Sequence, residues 1–325
     1  MSCRRGTAAR GCITSRSVIM SELVRMDTQR STTAASSSRY GGALLLSAAI
    51  FLWGANWPAM KLGLAHVTPL WLSATRFASG ALCLFAVQAA TGTLRVPKRG
   101  DLPFLASIGV LQMLAFTALS AVALHHVGAG RSAVLAYTTP IWVTPVSVLA
   151  FRERLSARAA FGTALGVAGV LLFSPLDVDW HDHRAVLANL MLLAASLCWA
   201  VCILHLRHFR SASSAYALAP WQMLVAAAPL VALAAIVEGP YTGDGSVALT
   251  SALVYIGPIA TAFCFCAVNA ANTRMSSTSM ATAMLGVPVV GLVTSVLWLH
   301  EHLTTGLATS VVLIVAGIAL SVTSR

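Results

Sequence analysis

The fold is decided by AVLAYTTPIWVTPVSVLAFRERL, the stretch Ala133–Leu155, and by its echo ATAMLGVPVVGLVTSVLWLHEHL at Ala281–Leu303. Both stretches are apolar, contain proline and end in a glutamate. A single offset of 148 residues relates the matching positions, which are Pro140 and Pro288, Glu153 and Glu301, and Gly169 and Gly317. One offset that carries several matches indicates a duplicated unit rather than chance similarity between apolar segments.

The composition predicts an all-α integral membrane protein. Hydrophobic residues make up 58% of the 325 residues, charged residues make up 10%, and the mean hydropathy is +0.80. A soluble domain carries about 25% charged residues, so this chain has too few to cover a water-facing surface. The net charge of +11 lies in a tail and in short loops. Nucleic acid is not expected as a partner, because the chain has no basic helix face with interleaved aromatic residues.

Ten apolar segments are long enough, or nearly so, to cross a bilayer. They are residues 41–62, 69–90, 102–124, 131–150, 157–175, 184–206, 215–237, 248–270, 276–299 and 304–322. The joint at 175–184 separates them into two groups of five. The predicted organisation is therefore a disordered basic tail at 1–40, a first repeat at 41–175 and a second repeat at 184–322.

The tail contains seven arginines and no apolar core of signal-peptide length, so a cleaved secretory signal is not expected. Its Arg- and Ser-rich composition suits an organellar transit peptide and equally a disordered cytoplasmic arm. Met20 and Met26 leave room for a later translation start.

Basic residues predict the orientation, because cytoplasmic loops carry an excess of Lys and Arg. With the tail inside, the inside segments hold seventeen Lys and Arg and the outside segments hold Lys61, Arg131 and Arg184. Arg76 lies within a span, which accounts for all 21. Both termini are expected to be cytoplasmic, in the plasma (inner) membrane. Five spans per repeat invert the second repeat, an arrangement that secondary transporters use to alternate access to a midplane site.

Short motifs carry a family resemblance. They are Trp53-Gly54-Ala55-Asn56-Trp57-Pro58 followed by Lys61, Ala74-Thr75-Arg76-Phe77, Pro140 and Glu153-Arg154-Leu155, and in the second copy Pro288 and Glu301-His302-Leu303. Together they resemble the EamA-like family of the drug/metabolite transporter superfamily, over about residues 41–322. The resemblance implies a ten-helix carrier for small organic solutes that often acts as an exporter. The second copy departs from the pattern at Trp199-Ala200-Val201-Cys202, which has no glycine or asparagine.

The first span supplies the main candidate for a solute site. Asn56 lies between Trp53 and Trp57, and Pro58 cannot donate a hydrogen bond to the carbonyl of Gly54. An amide beside two indoles in a weakened helix predicts one wall of a solute site. The alternative is a structural asparagine that bonds a neighbouring helix.

Arg76 should lie about 10 Å inside the second span. It either attracts an anionic solute or extends toward the interface and bonds helix carbonyls. The remaining polar candidates for substrate binding share a position inside apolar segments, and interhelical hydrogen bonds are the alternative for each. They are Gln112, Tyr137, Thr138, Gln222 and Asn269. Pro58, Pro140, Pro288, Glu153 and Glu301 are the candidate kink and gating positions.

Several chemistries are not expected. The chain has no G-x-x-x-x-G-K-[ST] motif for an ATP motor, and all ten acidic residues lie in the tail, in loops or at span ends. The cysteines inside the apolar segments are interpreted as small apolar packing residues. His300-Glu301-His302 has no further metal ligand nearby. No metal or cofactor is therefore predicted.

The predicted function is a secondary active or facilitative transporter that moves a small metabolite, such as an amino acid, by alternating access and in the export direction. The expected partners are the small-molecule substrate and the lipid bilayer, and a homodimer is left open. A nucleotide-sugar or drug carrier of the same superfamily is the nearest alternative. An intramembrane enzyme would need a paired nucleophile that the spans lack, and a scaffold would not need duplicated broken helices.

Overall fold

The computed structural model describes residues 40–151, 156–177, 181–206, 209, 211–275, 280 and 283–322. All the regular secondary structure in these ranges is helical, and no β-strand occurs in them. Glu153, one of the predicted gating residues, lies outside the described residues, as does the tail that was predicted to be disordered.

The helices are numbered here in chain order. They are α1 Tyr40–Gly63, α2 Pro69–Ala90, α3 Arg99–His126, α4 Ala129–Ala136, α5 Thr139–Phe151, α6 Ala157–Asp177, α7 His183–Leu206, α8 Ala215–Val237, α9 Val247–Asn272, α10 Gly286–Leu299 and α11 Thr305–Val322. Six of the described helices, α1, α2, α3, α7, α8 and α9, are long and apolar enough to cross a membrane. Shorter apolar helices lie within α6, α10 and α11.

The predicted fourth segment, 131–150, is divided into α4 and α5. Pro140 has no N–H with which to bond the carbonyl of Ala136, so the helical ladder is interrupted there. The backbone tightens just before it, where the N–H of Tyr137 donates to Val134 O and that of Thr138 to Leu135 O, each at 3.2 Å. The break therefore places Tyr137 at a bend rather than on a regular helix face.

Of the other two predicted kinks, one lies within a continuous helix and the other lies at a helix start. Helix α1 continues through Pro58 without interruption, so the weakened position is still helical. Pro288 is the third residue of α10, where the first-turn N–H groups have no partner within the helix and a proline costs little. Pro288, like Pro140 at the second position of α5, therefore lies at the start of a helix that follows an interruption, here the turn at Leu285.

Helices α6 and α11 pack against each other through glycines. A Cβ on Gly317 would lie 2.5 Å from the carbonyl oxygen of Gly162 and 2.6 Å from the nitrogen of Gly166. A Cβ on Gly169 would lie 3.0 Å from the carbonyl oxygen of Ser310 and 2.8 Å from Cγ1 of Ile314. The offset of 148 residues converts the first contact into the second. The two helices thus meet as equivalent partners, by the close approach that small residues permit.

Gly317→Ala should destabilise this contact by about 1 kcal/mol or more, because the overpacking penalty exceeds the gain in helix propensity. The atoms in the way belong to the backbone of α6 and cannot rotate aside. Gly166→Ala is the matched control, since its Cβ would meet only Ile141 at 3.4 Å. Thermal denaturation of the purified variants measures the difference, and equal stability of the two would contradict the packing described.

Helices α3 and α9 each contain a π-helical stretch, at corresponding positions of the chain. The stretches are Ser107–Ala115 in α3 and Tyr255–Phe263 in α9, and the offset of 148 residues relates both ends. Each also holds a glycine in close contact: Gly109 faces Val225 of α8, and Gly257 faces Ser79 of α2. Such wide turns are rare and occur frequently at functional sites.

One pair of interhelical loops is joined by polar contacts. Glu238, just after α8, accepts the backbone N–H of Trp71 at the start of α2 at 3.1 Å. Next to it, Nδ1 of His66 lies 2.7 Å from Oδ2 of Asp244. The backbone N–H of Ser246 and the hydrogen bond to His66 lower the pKa of Asp244 to about 2. These contacts fasten the α1–α2 loop to the α8–α9 loop.

Candidate functional site

A cavity opens among α1, α2, α3, α7 and α9, beside the break between α4 and α5. Its volume is about 730 Å³, including space open to solvent. Much of the wall is aromatic and comes from Trp53, Trp57, Phe77, Phe116, Tyr137, Trp199 and Phe265. An apolar wall with a few placed polar groups is the usual form of a small-molecule site.

Helix α1 contributes the predicted face. Asn56 is only 5% exposed, and its Nδ2 donates to the sulfur of Met60 at 3.2 Å. Its Oδ1 is buried and has no partner. Trp57 is buried beside it, and Nε1 of Trp53 donates to the carbonyl oxygen of Ala260 in α9 at 2.6 Å. Trp53 therefore fastens α1 to α9, while Asn56 leaves an acceptor unused.

Arg76 brings a positive charge to the cavity from α2. Its Nε donates to Oγ1 of Thr261 at 2.7 Å, and Nη1 lies 3.2 Å from the sulfur of Met60. The guanidinium carbon is 5.4 Å from the centre of the Phe77 ring, within the range of a cation–π contact. These partners are all uncharged, and no carboxylate among the described residues forms an ion pair with Arg76.

Thr261 orients this arginine. The Thr261 hydroxyl donates to the carbonyl oxygen of Ile256 at 2.6 Å. The Ile256 carbonyl lies five residues back along the π-helical stretch. Because its proton is committed, the Thr261 oxygen accepts from Nε of Arg76. Nη2 and the second N–H of Nη1 remain for other partners.

Helix α3 and the α4–α5 break complete the wall. Gln112, Thr117 and Ser120 face the cavity from α3. The Ser120 hydroxyl is buried and has no partner. Tyr137, at the break, packs edge-to-face on Trp199 of α7 with ring centres 5.3 Å apart. The break that Pro140 causes thus turns an aromatic side chain into the site.

Three predicted site residues lie away from the cavity. The Thr138 hydroxyl bonds Leu135 O and the hydroxyl of Ser196, and Nδ2 of Asn269 donates to Phe265 O at 2.8 Å. Gln222 is fully buried in α8, with both amide atoms unpartnered. Thr138 thus makes an interhelical hydrogen bond to Ser196, whereas Asn269 bonds the backbone of its own helix.

The structure also adds residues that polarity alone did not single out. Thr261, Ser120 and Met60 contact the cavity or its polar groups. The offset of 148 residues pairs Thr261 with Met113, and both residues line the cavity. Comparison of the two copies could therefore have identified Thr261 once Met113 was known to face the cavity.

The predicted gating residue Glu301 binds the start of α4. Its carboxylate accepts the backbone N–H of Ala129 at 2.6 Å and that of Gly130 at 3.0 Å. Lys61 lies beside the same turn and donates to the carbonyl oxygens of Leu124 and Val127, at 2.6 and 2.9 Å. Within the described residues, no group of three His, Cys, Asp or Glu side chains is placed to hold a metal ion.

The relationship to known proteins follows the two halves of the chain. The sequence profile of the EamA-like transporter family matches residues 40–174 and again residues 186–323. The chain belongs to the EamA-like transporter family. It is accordingly a multi-pass membrane transporter and not an enzyme.

Relatives of this EamA-like transporter include an uncharacterized transporter and two proteins named as a probable exporter and a probable efflux pump. An uncharacterized transporter of Bacillus subtilis, YoaV, is 25% identical over 271 residues, covering 83% of this chain and 92% of the relative. A probable amino-acid metabolite efflux pump of Escherichia coli is 27% identical, covering 88% and 95%. A probable terminal-alkyne amino-acid exporter of Streptantibioticus cattleyicolor is 28% identical, covering 78% and 83%.

A solved crystal structure shares the fold of this EamA-like transporter. It aligns with a TM-score of 0.59 at 22% sequence identity, covering 88% of this chain and 96% of the other.

Proposed function

We propose that this transporter is a secondary carrier that exports a small carboxylate-bearing metabolite, such as an amino acid or a related compound, by alternating access. The observation that carries the proposal is the cavity itself. Arg76 and the unpartnered oxygen of Asn56 meet there within an aromatic wall. Arg76 can bind a carboxylate, Asn56 can accept a hydrogen bond, and the aromatic rings can cover an apolar body.

Alternating access is often built on two inverted halves, and several features of this chain support such halves. The family profile matches twice, the π-helical stretches of α3 and α9 are equivalent, and α6 and α11 pack reciprocally. The cavity takes residues from α1, α2 and α3 of the first repeat and from α7 and α9 of the second. Ten crossings in two inverted five-helix repeats, with the interrupted α4–α5 pair as one crossing, would place this site near the midplane.

The proposed orientation puts both termini on the cytoplasmic side of the plasma (inner) membrane. Seventeen of the 21 Lys and Arg then lie on that side, as the positive-inside rule requires. The ends of α1, α3 and α10, where Lys61 and Glu301 meet the α3–α4 turn, would face outward. The export direction rests on the relatives whose names describe an exporter and an efflux pump.

A nucleotide-sugar carrier fits the cavity less well. A nucleotide sugar brings a diphosphate, which would call for more than one cationic group. Arg76 is the one charged side chain among the described residues that line the cavity. A drug carrier remains the second candidate, because the aromatic wall suits an amphiphile.

Transport in proteoliposomes tests the proposal, with a panel of small carboxylates and amphiphiles as substrates. Asn56→Ala should lower transport roughly tenfold, the effect of losing one hydrogen bond to the substrate, while thermal stability stays near that of the wild type. Asn269→Ala is the matched control, since that asparagine lies in α9 outside the cavity and bonds its own helix.

The structural alternative for Asn56 makes the reverse prediction. If Asn56→Ala lowers stability but transports normally per folded molecule, Asn56 holds helices together and the substrate binds elsewhere. If no carboxylate in the panel is transported by the wild type, the proposed substrate class is wrong.

A further inference from the structure

The cavity carries a single formal charge. Of the fifteen described residues that line it, Arg76 alone is ionised, and no Asp or Glu is among them. The sequence gives the same picture, because all ten acidic residues lie in the tail, in loops or at span ends. A ligand that enters therefore meets one cation and no anion.

The contacts of Arg76 among the described residues hold its side chain in place but do not neutralise its charge. Its contacts are the Thr261 hydroxyl, the Met60 sulfur and the face of the Phe77 ring. None of these carries a negative charge, and a buried cation without an anionic partner is strongly unfavourable. The missing negative charge is one that a bound carboxylate would supply.

The unused acceptors near Arg76 are uncharged. Oδ1 of Asn56 and the Ser120 hydroxyl are buried without partners. Nη1 of Arg76 and Nδ2 of Asn56 each lie 3.2 Å from the same sulfur atom of Met60, so they are at most 6.4 Å apart. The amide of Asn56, which carries the unused Oδ1, is therefore close enough to Arg76 for one small ligand to contact both.

Binding an alcohol or amide at these acceptors should cost less free energy than binding an ammonium group. A hydroxyl or an amide N–H can donate to a neutral oxygen at little cost. An ammonium group would lose its hydration in a cavity that already holds a cation, and no carboxylate is present to offset that loss.

From this arrangement we infer that the preferred substrates are organic monoanions: carboxylates with an apolar or aromatic body whose neighbouring carbon carries an uncharged donor, as in 2-hydroxy or N-acyl acids. Zwitterionic amino acids with the same body are the poorer substrates. The inference rests on the proposed function, whose substrate class it narrows from carboxylates in general to carboxylates without a cationic amine.

A series of compounds with one phenyl body tests the inference. Phenyllactate and phenylalanine differ in a hydroxyl against an ammonium group, and 3-phenylpropanoate lacks both. Binding to the full-length protein in nanodiscs and competition in proteoliposomes are measured for each. Phenyllactate should bind at least about tenfold more tightly than phenylalanine, and 3-phenylpropanoate should lie between them.

A charge variant provides an independent arm. Asn56→Asp keeps the shape of the side chain and places an anion beside Arg76. The preference for phenyllactate over phenylalanine should then fall by about tenfold or reverse. Asn56→Ala should keep the preference for 3-phenylpropanoate over phenylalanine, since it changes no charge.

The outcomes separate the two proposals. Phenylalanine that binds as tightly as phenyllactate, or more tightly, overturns the inference and leaves the carboxylate carrier standing. A wild-type protein that neither binds nor transports any of the three overturns both. An unchanged preference in folded Asn56→Asp also counts against the inference, because the added anion would then have no influence on the ligand.

Discussion

Replacing Arg76 with methionine should remove nearly all carboxylate transport and leave the protein as stable as the wild type, or more stable. Methionine has a similar length and fills the same space without a charge. A charge-assisted hydrogen bond to the substrate contributes about 1.5–3 kcal/mol, so the affinity should fall roughly 10- to 100-fold. Stability should not fall, because Arg76 has no carboxylate partner among the described residues and its burial is unfavourable.

Two measurements on the same preparations check this pair of opposite effects. Proteoliposome transport gives the activity, and thermal denaturation in detergent gives the stability. Arg76→Lys is the companion variant: it keeps the charge but loses the forked geometry in which Nε is bound to Thr261. Its activity should be intermediate. Loss of folded protein in Arg76→Met would instead favour the structural role, in which the arginine holds α2 against α9.

The sequence predicted the α1 side of the site because its signal is local. Trp53, Asn56 and Trp57 lie within little more than one helical turn, so their shared face does not depend on which helices pack nearby. The repeat offset was equally informative, since it relates Gly169 to Gly317, and these are the glycines at which α6 and α11 meet.

The rest of the site depends on packing that the sequence does not display. Polarity singled out Thr138 and Asn269, but polarity does not tell where a side chain points, and both bond helix atoms outside the cavity. Thr261 reaches Arg76 because a π-helical stretch turns it toward α2. The sequence alone does not show that a helix contains a π-helical stretch. Each of the two stretches does contain a glycine at the equivalent position, Gly109 and Gly257.

Glu301→Ala should have the second large effect, at the end of the molecule that is proposed to face outward. The carboxylate accepts two backbone N–H groups at the start of α4, which otherwise have no partner within that helix. Loss of such a cap lowers the free energy of unfolding by about 0.5–2 kcal/mol. Loss of hydrogen bonds to a charged group lowers it by more than loss of neutral ones. The contact also joins the α10–α11 loop to α4, so its loss should both lower the thermal stability and impair transport several-fold.

Graded variants of Glu301 distinguish a structural role, in which the carboxylate holds the start of α4, from a role in ion coupling. Glu301→Gln keeps one acceptor oxygen and should lose less than Glu301→Ala in both stability and transport. His302→Asn changes an exposed neighbour and should resemble the wild type. A coupling role would give another pattern: Glu301→Gln would then exchange substrate normally and fold normally, but would no longer accumulate it in response to a proton gradient. We expect the structural role, in which Glu301 holds the start of α4, because both carboxylate oxygens already accept backbone N–H groups of α4. The carboxylate is also closely packed against Gly128, where an added Cβ would lie 3.0 Å from Oε2.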